Sequence, residues 1–247
     1  MIAQALVLGG ARVIIASRKR EVCEETAREI NAIGLPGRCE ALAGDVSDEA
    51  GIDALVAAVG AATDRLDILV NNAGISWGAP FGSFPHAQWQ RVMAVNVAGM
   101  FSLTRGLYPI LSRSASAADP GRIINIGSVM GTVPVTEGAY SYTMSKAAVH
   151  HMTRVFAAEF AADHITCNAL APGPFASKMT AFATGTEAGA ARVGDNVPLG
   201  RIGTPEDIAG AILFLCARGG AYVSGAVLPI DGGMSVKTPI DLFANTV

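Results

Sequence analysis

Short, mostly apolar runs recur along the whole chain, and between them apolar positions return at intervals of three and four residues. This alternation marks βαβ units, in which a buried strand feeds a helix that packs back on a parallel sheet. The runs predict strands at 12–16, 38–43, 66–70, 121–127, 165–170 and 226–229. The longer periodic stretches predict helices at 20–33, 48–61, 88–111, 141–162 and 205–217. The last of these starts cleanly at Thr204-Pro205-Glu206-Asp207, with a capping threonine, a first-turn proline and two acids at the positive end of the helix dipole. Residues 112–120, rich in Ser and Ala, read as a surface loop. Residues 179–200 are small, glycine-dotted and read as a mobile segment over the strand ends, with an ordinary surface loop as the alternative. The pattern predicts one α/β domain over 1–247, with no repeat and no linker.

Composition narrows the class. With 247 residues, 51% of them hydrophobic and 16% charged, the chain can bury a full core. A net charge of -3 argues against a nucleic-acid partner, which calls for a basic face. The longest uncharged stretch, 68–90, is broken by Gly74, Gly78, Pro80, Gly82 and Pro85, so no membrane span is expected. The amino terminus lacks the basic region of a signal peptide, and the expected address is cytoplasmic. Cys23, Cys39, Cys167 and Cys216 are scattered and read as small buried hydrophobes rather than disulfides or zinc ligands. The adjacent His150 and His151 point about 100° apart on a helix, which disfavours a shared metal and suggests an exposed or interface role.

The densest chemistry lies in Tyr142-Thr143-Met144-Ser145-Lys146. Residues four apart on a helix are surface neighbours, so the phenol and the ammonium share one face. Holding a tyrosine of pKa near 10 ionised at pH 7 costs about 4 kcal/mol. A lysine charge about 5 Å away, at an effective dielectric near 20, returns about 3 kcal/mol of that. The tyrosine can then exchange a proton with a carbonyl or alcohol oxygen. Three further features accompany the pair. Ser128 ends the apolar strand Arg122 to Gly127, Asn71-Asn72-Ala73-Gly74 turns at the end of another, and Asn96 is a polar residue within an apolar helix. Individually these read as a helix cap, a turn and a satisfied core amide. Ligands of α/β sheets, however, bind where strands end.

Asn72-Ala73-Gly74, Asn96, Ser128, Tyr142 with Lys146, and Pro172-Gly173 stand in an order that resembles the short-chain dehydrogenase/reductases, from residue 1 to about Gly233. The resemblance implies a Rossmann-like, doubly wound parallel sheet. It implies that Tyr142 donates a proton to the substrate carbonyl, and that Lys146 lowers the tyrosine pKa and holds the nicotinamide ribose. Ser128 would hydrogen-bond the substrate oxygen, and Asn96 would position a water of the proton relay. The spacing of Ser128 and Tyr142 is one residue longer than is common in the family, and Tyr140 is a second tyrosine nearby. Only Tyr142 has a lysine four residues on. The family's first strand and glycine-rich turn have no counterpart. Residues 1–10 look like the helix that follows that turn, with Gly9-Gly10 as its C-cap, and no G-x-G-x-x-G occurs. The expected sheet therefore lacks its first, central strand, either because the start is assigned downstream of the natural one or because the chain is truncated.

The second strand of such a sheet ends at the adenosine ribose. An acid there selects NAD and a basic residue admits the 2′-phosphate of NADP. Here the strand ends Ala16-Ser17-Arg18-Lys19, without a carboxylate, so NADP is expected. By resemblance Asp45 and Val46 flank the adenine, Asn72-Ala73-Gly74 the riboses, and Pro172-Gly173 with Phe175 and Ser177 the nicotinamide. Ser177 stands where relatives usually carry threonine. The resemblance further implies an oxidoreductase of fatty acid metabolism acting on a 3-oxoacyl thioester, of the rhamnolipid-pathway type, with sugar or polyol oxidation as the competitor. A cofactor-deficient scaffold is the reading from another class. The small and apolar positions of helices 88–111 and 141–162 exceed one core stripe and, with the resemblance, imply a homotetramer or homodimer.

Overall fold

A computed structural model describes residues 1–134 and 138–237, and residues 135–137 and 238–247 lie outside the described residues. Its strands are β1 (Arg12–Ser17), β2 (Arg38–Ala43), β3 (Ile68–Asn71), β4 (Gly121–Ile126), β5 (Ile165–Pro172) and β6 (Val227–Ile230). Each falls on an apolar run of the sequence. β4 and β5 are buried almost throughout, as strands covered by helices on both faces must be.

All pairings are parallel, but they form two sheets, β1-β2 and β3-β4-β5-β6. Among the described residues no ladder joins β1 to β3. Helix α1 (Ile2–Leu8) ties the halves together. Its Ala5 and Leu6 share an apolar cluster with Ile124, Leu170 and Ile212, against which Val13, Ile68 and Val70 pack from both sheets. Its Val7 belongs instead to a cluster with Ala27, Ile30 and Cys39. Gly10 closes the helix at φ +89°, a conformation glycine adopts without steric cost.

The helices α2 (Arg20–Ala32), α3 (Glu49–Ala62), α6 (Tyr140–Glu159) and α9 (Pro205–Cys216) lie where periodicity placed them. At the start of α9 the Asp207 carboxylate accepts from the Thr204 N–H at 2.7 Å and from the Arg201 guanidinium at 2.6 Å.

Two expectations are corrected. The single helix expected at 88–111 is α4 (His86–Met93) and α5 (Met100–Ser114), joined by a wider π-helical stretch over Ala94–Gly99. Periodicity cannot register one extra residue in a turn, and α5 runs on into the expected loop to Ser114. The segment 179–200, expected to be a loop, carries two short helices, α7 (Ala181–Thr184) and α8 (Glu187–Gly194). The Thr186 hydroxyl caps α8 by accepting from the Gly189 N–H at 3.1 Å. No described helix is long and apolar enough to cross a membrane.

Candidate active site

The predicted site residues gather at the carboxyl ends of the strands. Ser17 ends β1, Asp45 and Val46 follow β2, Asn72-Ala73-Gly74 follow β3, Ser128 follows β4, and Pro172-Gly173 close β5. Beneath them a buried polar row fixes the strands. Asn71 Nδ2 donates to Asn125 Oδ1 at 2.9 Å and to Thr104 Oγ1 at 3.0 Å, and Asn125 Nδ2 donates to Thr153 Oγ1 at 2.9 Å.

On α6, Tyr142 and Lys146 meet as their spacing requires, with Nζ 5.6 Å from the centre of the phenol ring. Lys146 is only 4% exposed, and its ammonium donates to the Ile126 carbonyl at 2.6 Å. Ser128 begins a tight turn over Val129–Gly131, and its Oγ accepts from the Met130 N–H at 3.2 Å. The same hydroxyl lies near enough to the Tyr142 phenol to act against the burial that raises its pKa. The turn after β3 closes over this group: a methyl added at Gly74 would lie 3.5 Å from Asn96 Oδ1 and 3.6 Å from Lys146 Nζ. Ser128, Tyr142, Lys146, Asn96 and Gly74 thus form one cluster built from four elements.

Asn96 sits in the π-helical stretch, 1% exposed. Its amide is fully engaged: Oδ1 accepts from the Ile75 N–H at 2.9 Å, while Nδ2 donates to the Ile75 carbonyl and to Ser145 Oγ, each at 2.9 Å. Ser145 Oγ in turn donates to the Tyr142 carbonyl at 2.7 Å. The side chain therefore clamps the turn after β3 to α6.

The electrostatics differ from the sequence expectation. Burial raises the Tyr142 pKa, against a smaller lowering by the Ser128 hydrogen bond. Burial also lowers Lys146 from 10.5 to about 8. A lysine 5 Å from a phenol in a half-wet site would depress the phenol, but here both groups lose solvent together. The phenolate is penalised, and the ammonium is itself driven toward its neutral form.

At the other end of the cluster, Ser17 Oγ accepts from the Lys19 N–H at 3.2 Å and from Cys23 Sγ at 3.1 Å. The exposed Arg18 lies close enough to Asp45 to contribute to lowering its carboxyl pKa, after the larger effect of hydrogen bonds from Ser47. The two β-strand ends thus bring Ser17, Arg18 and Asp45 together. The Val46 carbonyl lies against Gly99, where a methyl would approach it to 2.2 Å, so the loop after β2 abuts the Asn96 helix. Gly173 donates to the Ile230 carbonyl at 3.0 Å. The Phe175 ring lies on Gly203 and packs into the core beside β6 and α9. Ser177 is exposed and shares a hydrogen bond with Thr180 Oγ1 at 2.9 Å.

One residue near the cluster was misjudged. His151 is exposed, but His150, expected at the surface or an interface, is 5% exposed and faces inward behind Ser128. The missed signal was its place four residues beyond Lys146, which puts it on the same helix stripe as Tyr142 and Lys146. Among the described residues no group of His, Cys, Asp and Glu could hold a metal.

Fold and cluster together define a parallel-sheet oxidoreductase domain with a Ser–Tyr–Lys centre at the strand ends. A family model described as enoyl-(acyl carrier protein) reductase matches residues 1–235, and the chain belongs to the short-chain dehydrogenase/reductase family. It is 46% identical over 233 residues to the rhamnolipids biosynthesis 3-oxoacyl-[acyl-carrier-protein] reductase of Pseudomonas aeruginosa, covering 94% of this chain and 90% of that protein. It is 39% identical over 236 residues to a galactitol 2-dehydrogenase (L-tagatose-forming) of Cereibacter sphaeroides, covering 95% and 89%. Its fold superposes on a Pseudomonas aeruginosa RhlG/NADP active-site complex with a TM-score of 0.90 at 45% identity, over 95% of this chain and 91% of that one.

Proposed function

We propose that this chain is an NADP-dependent reductase that converts a carbonyl to an alcohol, with a 3-oxoacyl thioester as its substrate. The observation that carries the reading is the convergence of Ser128, Tyr142 and Lys146 at the end of β4, with the serine near enough to the phenol to influence its pKa and the lysine Nζ 5.6 Å from the centre of its ring. The residues fit NADP at both of its ends. Ser17 and Arg18 offer a hydroxyl and an exposed guanidinium at the end of β1, a strand whose own end, Ala16-Ser17-Arg18-Lys19, carries no carboxylate. Asp45 is turned to the Ser47 N–H at 2.9 Å. Gly74 and the buried Lys146 ammonium offer a close backbone and a donor for a ribose, beside Pro172 and Gly173 at the end of β5. When bound, the reduced nicotinamide supplies hydride to the carbonyl carbon.

The chain's own residues do the rest. Tyr142, with its raised pKa, is a protonated phenol at neutral pH and gives its proton to the carbonyl oxygen. Ser128 donates a hydrogen bond to the same oxygen as negative charge develops there, an interaction that strengthens in the transition state. Lys146 stabilises the resulting phenolate, and Asn96 positions the water through which the proton is replaced.

Two observations favour an acyl substrate over a polyol. The 46% relative is a 3-oxoacyl reductase. In addition, an aromatic patch stands at the start of α6: Phe81 and Phe84 each meet the Tyr140 ring edge-on at 5.6 Å, and Phe81 remains 81% exposed. The galactitol dehydrogenase relative supports the second reading, oxidation of a sugar alcohol. The assay is NADPH oxidation by purified protein with acetoacetyl-CoA, set against NADP reduction with galactitol, with Tyr142→Phe as control. Thioester-dependent turnover, lost in the variant through kcat, is expected. Turnover with galactitol alone establishes the second reading. No turnover and no change in nicotinamide fluorescence establishes the non-catalytic scaffold. Retention of more than a tenth of the rate in Tyr142→Phe moves the proton donor to Tyr140 or elsewhere.

The reading extends to assembly. Phe101 on α5 and Met144 and Val155 on α6 remain about half exposed, an apolar face suited to pairing these helices in a homotetramer or homodimer.

A further inference from the structure

The Ser128 turn is built around an imidazole. His150 lies two helical turns beyond Tyr142 and one beyond Lys146, so the three side chains form a single stripe on α6. Its Nε2 accepts from the Ser128 N–H at 3.4 Å in a buried setting. The ring fills space left by two glycines on either side of the serine. A methyl at Gly127 would come within 2.3 Å of Nε2, and one at Gly131 within 2.7 Å of Cε1. Gly127 is also held from the other side, its N–H donating to the Leu170 carbonyl at 2.8 Å. Ser128 itself is extended at φ −169°, and its hydroxyl is held by the Met130 N–H at 3.2 Å.

We propose that His150 is a positioning residue of the reaction: as a neutral imidazole protonated on Nδ1, it anchors the Ser128 backbone and so aims the serine hydroxyl at the substrate oxygen. This rests on the reading of Ser128 and Tyr142 given above. An Nε2 that accepts cannot carry the proton, which fixes the tautomer. The neutral state is enforced by the surroundings: burial, with Arg154 one turn on and Lys146 one turn back, pushes the histidine down to about 4. A protonated ring would turn a donor toward the Ser128 N–H and release the turn. Misplacement of a hydrogen-bonding group by about 1 Å costs roughly a hundredfold in rate, so a packing contact behind Ser128 becomes a kinetic one.

The test compares His150→Leu, which keeps bulk but removes the acceptor, with His150→Gln, whose side-chain carbonyl can stand near the Nε2 position. His150→Leu is expected to lower kcat about tenfold to a hundredfold while KM for NADPH stays within about twofold, because Lys146 and the nucleotide contacts are untouched. His150→Gln is expected to recover most of the rate. Equal loss in both variants, or a His150→Leu kcat within twofold of the parent while Tyr142→Phe is inactive, overturns the role of His150 alone. An active Tyr142→Phe overturns the underlying reading instead. A second measurement needs no substitution: in protein labelled with 15N-histidine, the Nε2 of His150 should keep an unprotonated signal from pH 5 to 8. A proton on Nε2 in that range overturns the proposal.

Discussion

Lys146→Met should make the protein more stable and leave it inactive. The ammonium is 4% exposed and its pKa falls from 10.5 to about 8 through burial. At 1.36 kcal/mol for each tenfold change, the folded state carries about 3.4 kcal/mol against the charged form at pH 7. Methionine matches the length of the lysine stem without the charge. The substitution also strips the Ile126 carbonyl of the 2.6 Å donor, and a buried acceptor left unpaired costs about 1–3 kcal/mol. The balance favours Met by about 0.4–2.4 kcal/mol, and in a chain of this size each kcal/mol moves Tm by about 2–4 °C.

The pH dependence carries the sign. Because the folded pKa lies below the unfolded one, the penalty is full below about pH 8. It fades as pH rises toward 10.5, where the unfolded lysine also loses its proton. The parent should therefore close the gap on the variant between pH 8 and 10.5. Calorimetric melts of both proteins at pH 7, 8.5 and 10, with NADPH oxidation measured alongside, provide the assay. A variant that melts below the parent at pH 7, or a gap that does not change up to pH 10, would refute the burial argument.

Replacing Ser17 by Asp and Arg18 by Ala should swing the cofactor ratio toward NAD by tenfold or more, since a charge-assisted phosphate contact contributes about 1.5–3 kcal/mol; an unchanged ratio of kcat/KM for the two nucleotides removes Arg18 from the phosphate. Gly99→Ala would place a methyl 2.2 Å from the Val46 carbonyl. It should cost about 1–3 kcal/mol by overpacking, and an unaltered Tm shows that this contact relaxes freely. Light scattering at micromolar concentration should report a dimer or tetramer, and a monomer defeats the pairing of α5 with α6.

Local pattern alone determined much of this protein. The six apolar runs became six strands because parallel strands covered on both faces need continuous hydrophobic sequence. The helix start at Thr204-Pro205 followed from its own residues, and the meeting of Tyr142 with Lys146 followed from helical spacing. The sequence offers no further apolar run to stand between β1 and β3, and among the described residues these strands belong to separate sheets. What the sequence could not determine depended on which elements cover which groups. The π-helical stretch is held by an Asn96 amide whose partners, Ile75 and Ser145, lie 21 and 49 residues away. The lysine pKa, the protonated state of the tyrosine and the inward turn of His150 all follow from β4 and the Ser128 turn closing over α6. Desolvation and hydrogen bonding across elements set those properties, and neither leaves a period in the chain.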